Sequence, residues 1–350
     1  MRVRSRGLRR PLALALGGSL SLASLASLTA CGDVTLSRSA NAPSSNAPSA
    51  PNANEPRALS GQPDSITTLY DAFTARTDDV TLDWGWAALV RYRGHTILFD
   101  SGDDATTLAH NAQVLGVDLR EVDIAILSHD HSDHSSGFDY LLSVNPAVKL
   151  YLPAEGNLGG HWQLEVAPPA ASMRPIAAER QYFRGARKGP RNTSGRYWKA
   201  NVEMVPESRE IAPGVALVTT DSPNLGYVNK YPPHDHDAQI SPLKELTLVL
   251  ETTTGDVVIV GCAHSGVEKI VDTTKKLRQR DVALLVGGFH LFPYGEDEVR
   301  GVATRLRDVF HVLKVAPAHC TGHVGFQAFA EVFGEKDLFA GLGERIPLPK

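Results

Sequence analysis

The sequence has little cysteine, almost no charge imbalance, no acidic residue before Asp33, and no clean apolar run long enough to cross a bilayer. Three cysteines in 350 residues, Cys31, Cys262 and Cys320, are too few for a disulfide framework, so each needs its own account. A formal net charge of -4 gives no general pull toward nucleic acid, and no nucleic-acid partner is expected. The balance of 42% hydrophobic and 21% charged residues excludes a wholly disordered chain. No internal repeat is visible.

What is present begins with a basic head, Arg2, Arg4, Arg6, Arg9 and Arg10, followed by an apolar stretch from Leu12 to Leu28. Gly17, Gly18 and several serines interrupt that stretch, so it reads as a secretory signal peptide over residues 1–31 rather than a permanent span. Its end, Leu28-Thr29-Ala30-Cys31, resembles a bacterial lipoprotein processing site in which Cys31 becomes the lipidated N-terminus. Arg9-Arg10 also suits a twin-arginine signal, and ordinary cleavage leaving Cys31 unmodified is the plain alternative. Residues 32–63, rich in Ser, Ala, Asn and Pro, bury too little to offset their ordering entropy and read as a flexible tether. The expectation is an exported protein, lipid-anchored to a membrane of the bacterial cell envelope, with a folded domain at 64–350.

That domain is roughly 285 residues long, which one α/β domain accommodates. Strands are predicted at Ala87–Tyr92 and Thr96–Phe99 around an Arg93-Gly94 turn, then at Ile124–Leu127 and Val148–Leu152. A helix is predicted over Ala105–Leu115. Further strands are expected at Leu246–Glu251, Val257–Val260, Val282–Val286 and Val312–Ala316, with helices at Val267–Leu277 and Glu298–Phe310. A hairpin-rich first half and an alternating second half suit a sheet sandwich covered by helices. Residues 155–241, rich in proline, glycine and aromatics, read as irregular and as a lid-like insertion.

The strongest chemical signal is Ser128-His129-Asp130-His131-Ser132-Asp133-His134, directly after an apolar strand. Zinc and similar cations take neutral imidazole and carboxylate ligands, and an open coordination position makes such a site catalytic. A tight loop of this composition can present ligands in two directions, to two adjacent cations. A solvated polar loop would account for one histidine but not for this many potential ligands in six residues.

The segment matches the His-x-His-x-Asp-His signature and so resembles the metallo-β-lactamase superfamily, over nearly the whole mature domain. Ile97-Leu98-Phe99-Asp100-Ser101-Gly102 is similar to the family's first motif. Gly261-Cys262-Ala263-His264-Ser265-Gly266, Gly287-Gly288-Phe289-His290-Leu291 and Pro317-Ala318-His319-Cys320-Thr321-Gly322 resemble the dihydropterin–ribofuranosylaminobenzene-phosphate synthase-like branch. The resemblance implies an αββα sandwich with a single catalytic domain and two divalent cations, zinc foremost and manganese or iron as alternatives. It implies that His129, His131 and His264 hold one cation, and Asp133, His134 and His319 the other. Asp100 would orient ligands from behind. The superfamily usually places a bridging aspartate where this chain has Cys262, so either the thiolate ligates or a water bridges alone. Cys262 and Cys320 are expected as reduced, partly buried thiols, with a disulfide as the alternative.

Asp133, within the water-activating centre, and His290, as general acid to a leaving group, are the candidate catalytic residues; a hydrogen-bonded structural role is the equal alternative for His290. Arg184, Arg187, Lys188 and Arg191 are candidates for substrate binding through an anionic group. His234-Asp235-His236-Asp237 reads as a solvated loop, and His95, His110, His161, His311 and His323 as structural or surface residues. The function expected is a metal-dependent hydrolase of a small anionic ester, foremost a phosphate ester or diester. Alternatives are the branch's synthase chemistry, a non-catalytic metal- or ligand-binding lipoprotein, and β-lactamase activity. An exported lipoprotein would not meet the synthase's cytoplasmic intermediates.

Overall fold

The alternation of side chains along each predicted strand decides which layer each residue enters, and it fixes a four-layer architecture. The computed structural model describes residues 63–350 apart from 156–157, 159, 166–170, 172–174, 176, 178–179, 182–183, 185–187, 195, 198 and 229–239. The leader with Cys31, most of the tether, Arg187 and the His234–Asp237 cluster therefore lie outside the described residues. No helix among those described is long and apolar enough to cross a membrane.

In chain order the strands and helices are β1 (Ser65–Tyr70), β2 (Ala87–Tyr92), β3 (His95–Phe99), α1 (Ala105–Val114), β4 (Ile124–Ile126), α2 (Ser132–Ser135), α3 (Phe138–Val144), β5 (Lys149–Pro153), β6 (Gly160–Glu165) and β7 (Lys188–Ser194). There follow β8 (Asn201–Val205), β9 (Arg209–Ala212), β10 (Val215–Val228), β11 (Ile240–Thr252), β12 (Gly255–Val260), α4 (Val267–Arg278), β13 (Val282–Gly288), α5 (Glu296–Asp308), β14 (Val315–Ala318), α6 (Gly322–Phe333) and β15 (Arg345–Pro347). One seven-stranded sheet runs β15-β1-β2-β3-β4-β5-β8, and a six-stranded sheet runs β14-β13-β12-β11-β10-β9. β6 and β7 form a separate two-stranded ribbon.

Along β3, Ile97 and Phe99 enter the core between the sheets while Leu98 faces outward toward Leu108 of α1 and Phe138 of α3. Along β12, Val257 and Ile259 face that same central core, and Val258 and Val260 meet Ile270 of α4 and Val302 of α5. The result is the expected αββα sandwich as a single domain, with α1 and α3 on one flank and α4, α5 and α6 on the other. Asp104 caps α1 by accepting from Thr107 N at 2.7 Å. α5 opens on Glu296, Asp297 and Glu298 and ends with Arg305 and Arg307, matching the helix dipole at both ends.

Several expectations need correction. The stretch read as irregular supplies β8, which extends the first sheet beside β5, and β9 and β10, which belong to the second. Within it Tyr197 is buried and donates its hydroxyl to Ser135 O at 2.6 Å, bracing the short helix α2. The first half is not mainly hairpins, because β3, β4, β5 and β8 are parallel neighbours. β14 starts at Val315, not Val312, and includes Pro317, which an edge strand tolerates.

Candidate metal centre

Parallel strands deliver whatever follows them to one edge, and here five such ends converge. Asp100 follows β3, His129 comes just after β4, and Cys262 and His264 follow β12. His290 follows β13 and His319 follows β14. The two sheets are tied at this edge by Leu246 N donating to Ser128 O at 2.7 Å. Asp100, Ala263, His290 and His319 all hold positive φ, between 45° and 58°. Such backbone costs about 1–3 kcal/mol at a non-glycine residue, so its concentration at one rim marks a place where geometry is held against local preference.

His131 Nδ1 lies 3.0 Å from His129 Nε2 and 3.1 Å from His264 Nε2, so three imidazole nitrogens face one another. Two nitrogens on a tetrahedral zinc stand about 3.3 Å apart. Beside this set, His319 Nε2 is 3.2 Å from Asp133 Oδ2, and His134 Nε2 is 3.7 Å from the same oxygen. His319 is buried, and neither ring nitrogen has a hydrogen-bond partner. A buried imidazole with two unmatched nitrogens, one aimed at a carboxylate oxygen without bonding to it, fits a cation ligand. The donor set therefore suits divalent cations.

Burial lowers the pKa of His129 well below the ordinary imidazole value, with the surrounding histidines adding to the effect. Burial likewise lowers His131 and takes His264 down to about 2. These three rings are therefore neutral at pH 7, the form that ligates. His134 is the exception. Burial opposes its protonation, but the Asp100 carboxylate at 2.7 Å, with Asp133 beyond, outweighs this and raises it to about 9. Burial pushes Asp133 up, but its contact with His319 and the charges of His134 and its neighbours hold it well below the usual carboxylate range. Burial pushes the Cys262 thiol well up.

A second layer holds these rings. Asp100 is fully buried and accepts from Ser128 N at 2.6 Å and Ser128 Oγ at 2.7 Å as well as contacting His134 Nδ1. Ser128 Oγ also lies 2.8 Å from His129 Nδ1, so one carboxylate fixes a ring in each ligand set. A Cβ on Gly261 would sit 2.1 Å from Ser128 Oγ and 2.9 Å from Asp100 Oδ2, so that network requires glycine there.

All six expected ligands meet at the centre, together with Asp100 and Cys262. Cys262 and Cys320 are free thiols and fully rather than partly buried, with their sulfurs 3.3 Å apart. His290 also arrives, its ring 4.3 Å from that of His264. Arg184 is exposed, and Lys188 and Arg191 lie on the β6–β7 ribbon.

Three contributors escape sequence reasoning. Glu245 on β11 accepts from His264 N at 2.8 Å, Ser265 N at 2.7 Å and Ser265 Oγ at 2.6 Å, pinning the loop that carries His264. Asp71 accepts from His319 N at 3.1 Å. Asp71 had a visible signal, an acid directly after an apolar strand, like Asp100. Trp84 stands with its ring 4.9 Å from that of His319. With Phe73, Phe292, Phe326 and His323 it lines a cavity of about 610 Å³ that opens onto His319, a place the sequence did not give His323.

With that geometry in view, the comparisons with known proteins bear on residues already placed. Residues 81–267 match the model of the Metallo-beta-lactamase superfamily. The 7,8-dihydropterin-6-methyl-4-(beta-D-ribofuranosyl)-aminobenzene-5'-phosphate synthase of Methanocaldococcus jannaschii is 23% identical over 256 residues, covering 68% of this chain and 80% of that protein. An uncharacterised protein of the same organism is 25% identical over 250 residues, 68% of this chain and 84% of its own. A crystal structure described as a metal-dependent hydrolase of the beta-lactamase superfamily superposes with a TM-score of 0.59 at 23% identity, over 82% of this chain and all of that one. At that identity the likeness shows the fold.

Proposed function

This chain belongs to the metallo-β-lactamase superfamily, whose members are generally hydrolases, and from that premise we propose that it hydrolyses a small anionic ester at a centre of two divalent cations, zinc foremost. The observation that carries this reading is the pair of adjacent ligand sets. His129, His131 and His264 would hold one cation; Asp133, His134 and His319 would hold the other. Cations in such a centre supply Lewis acidity and a water nucleophile at neutral pH. The chain's own part is to keep three imidazoles neutral by burial, to fix His129 and His134 through Ser128 and Asp100, and to give the leaving group a proton.

His290 is suited to that last task. It is half-buried, stands beside His264, and has a buried Nδ1 with no hydrogen-bond partner. Cationic charge at the centre favours an anionic ester, foremost a phosphate ester or diester. Lys188 and Arg191 on the ribbon, with Arg184 and Arg187 before it, are candidates to hold a further anionic group. The aromatic cavity beside His319 supports a substrate that also carries an apolar part. A second reading, transferase chemistry joining a pterin to a ribosylated aryl phosphate, is favoured by the similarity to the synthase of M. jannaschii.

The test is a screen of chromogenic phosphate mono- and diesters, lactones and β-lactams, with chelation and metal restoration. Turnover lost on chelation and regained with zinc, manganese or iron supports the reading. Metal-independent turnover, or ester-free condensation alone, defeats it.

The role of His290 has its own expected result. Asparagine tolerates the left-handed backbone here, at φ +48°, so His290→Asn removes the proton donor without adding strain. A general acid contributes about 10²–10⁴-fold and matters most for leaving groups of high pKa. The variant is expected to keep its metal, to slow strongly on alkyl esters and to slow little on nitrophenyl esters. Equal slowing on both would make His290 a positioning residue.

Export and anchoring through Cys31 complete the proposal, supported by the leader sequence and the low-complexity tether. One acyl chain binds membranes only marginally, so stable attachment needs at least two. Cys31→Ser is expected to move the protein from the membrane to the soluble fraction. Undiminished membrane binding of a variant with its signal peptide removed would contradict the anchor.

A further inference from the structure

We infer that the sulfur of Cys262 is a ligand shared by both cations, so that the centre is joined by a thiolate. The inference rests on the two-cation reading above and adds a ligand to it. Cys262 is buried at the end of β12, and its Sγ lies 3.1 Å from His134 Nε2. The same sulfur belongs to three sets of ligand atoms, each with all members within 4.8 Å of one another: with His129 and His264, with His134 and His319, and with His290 and Cys320. It thus stands between the two imidazole sets and touches the reach of each.

The distances permit a bridge. Zinc–sulfur bonds are about 2.3 Å, so one sulfur can join cations up to roughly 4.6 Å apart. Paired catalytic cations stand about 3.5–4 Å apart, inside that limit. When the metal–sulfur bonds form, the thiol proton leaves to bulk water, and the resulting thiolate needs a donor on its remaining side. Cys320 supplies one: its S–H donates to Cys262 Sγ at 3.3 Å. Room for this second sulfur comes from Gly288, where a Cβ would stand 2.8 Å from Cys320 Sγ and 3.3 Å from His319 Cδ2. A thiol placed only to fill apolar space would not be ringed by imidazole nitrogens.

Cobalt(II) reads this directly, because a cobalt–thiolate bond gives a near-ultraviolet charge-transfer absorption. The metal-free protein, kept reduced, is titrated with cobalt(II) while bound cobalt and absorption are measured together. The expected result is two cobalt ions per chain, with absorption growing across both equivalents. Cys262→Ser is expected to lose the absorption entirely and to bind one equivalent fewer. Cys262→Asp should lose the absorption but keep both ions, since a carboxylate can also bridge. Cys320→Ser should keep the absorption. Two ions bound with no thiolate absorption overturn the inference and leave the two-cation reading intact. Absorption complete after one equivalent makes Cys262 a terminal ligand and also overturns the bridge. Fewer than two ions bound by the unaltered protein defeats the two-cation reading itself.

Discussion

Replacing His129 and His131 together by alanine is expected to empty one cation position and to reduce ester turnover by a factor on the order of 10³ or more, since on the proposed function the cations carry the chemistry. The two rings supply two of the three nitrogens that face one another beside His264. His264 with a single further donor does not retain a cation there. The rest of the fold should survive, since the central core of Ile97, Phe99, Leu248 and Ile259 includes neither histidine. Metal analysis, circular dichroism and turnover on the same sample check this. A double variant that keeps full metal content would show that other residues hold the cation.

Asp100→Ala carries the largest expected effect on stability. Asp100 is fully buried, and its loss would leave Ser128 N–H, Ser128 O–H and the His134 ring without their acceptor. Removing one member of a buried, hydrogen-bonded pair costs about 3–5 kcal/mol. Loss of a partner behind a metal ligand also weakens metal binding by about 10–100-fold. Denaturant unfolding of the metal-free protein tests the first figure and a competition titration the second.

The same pair sets a pH dependence in the metal-free protein. His134 is raised to about 9 in the fold, above its unfolded value, so its contribution is fully present below about 6.5 and lost as pH rises through 9. The difference corresponds to roughly 3 kcal/mol. Metal binding runs the other way at this ring, because ligation requires the neutral form. The cation on His134 should bind more tightly from pH 7 to 9, whereas the set of His129, His131 and His264 is already neutral at pH 7.

The centre was legible in the sequence because each of its histidines follows an apolar strand. Ile124–Leu127 leads into His129, Val257–Val260 into Cys262 and His264, and Val312–Ala316 into His319. Parallel strands carry such residues to one edge whatever the loop lengths between them. The rest was hidden for definite reasons. β10 contains Ser222, Pro223, Asn224 and Gly226, residues that signal a turn, yet it pairs with β11 across a register shift between Ser222 and Gly226. β8 reads Asn-Val-Glu-Met-Val, too short for its alternation to stand out after a proline- and glycine-rich stretch, and is stabilised at the sheet edge by pairing with β5. Glu245 and Asp71 act largely on backbone N–H groups, which leave no trace in side-chain spacing. The aromatic cavity unites Phe73, Trp84, Phe292 and Phe326 from distant parts of the chain.

The proposed function requires two cations side by side on these ligands and a turnover that depends on both. The most direct measurement is metal content per chain, taken on one preparation at successive stages of reconstitution with zinc and set against ester turnover. Content is expected to saturate at two ions per chain, with full turnover reached only as the second binds. Saturation at one ion with full turnover, or full turnover with none, would contradict it.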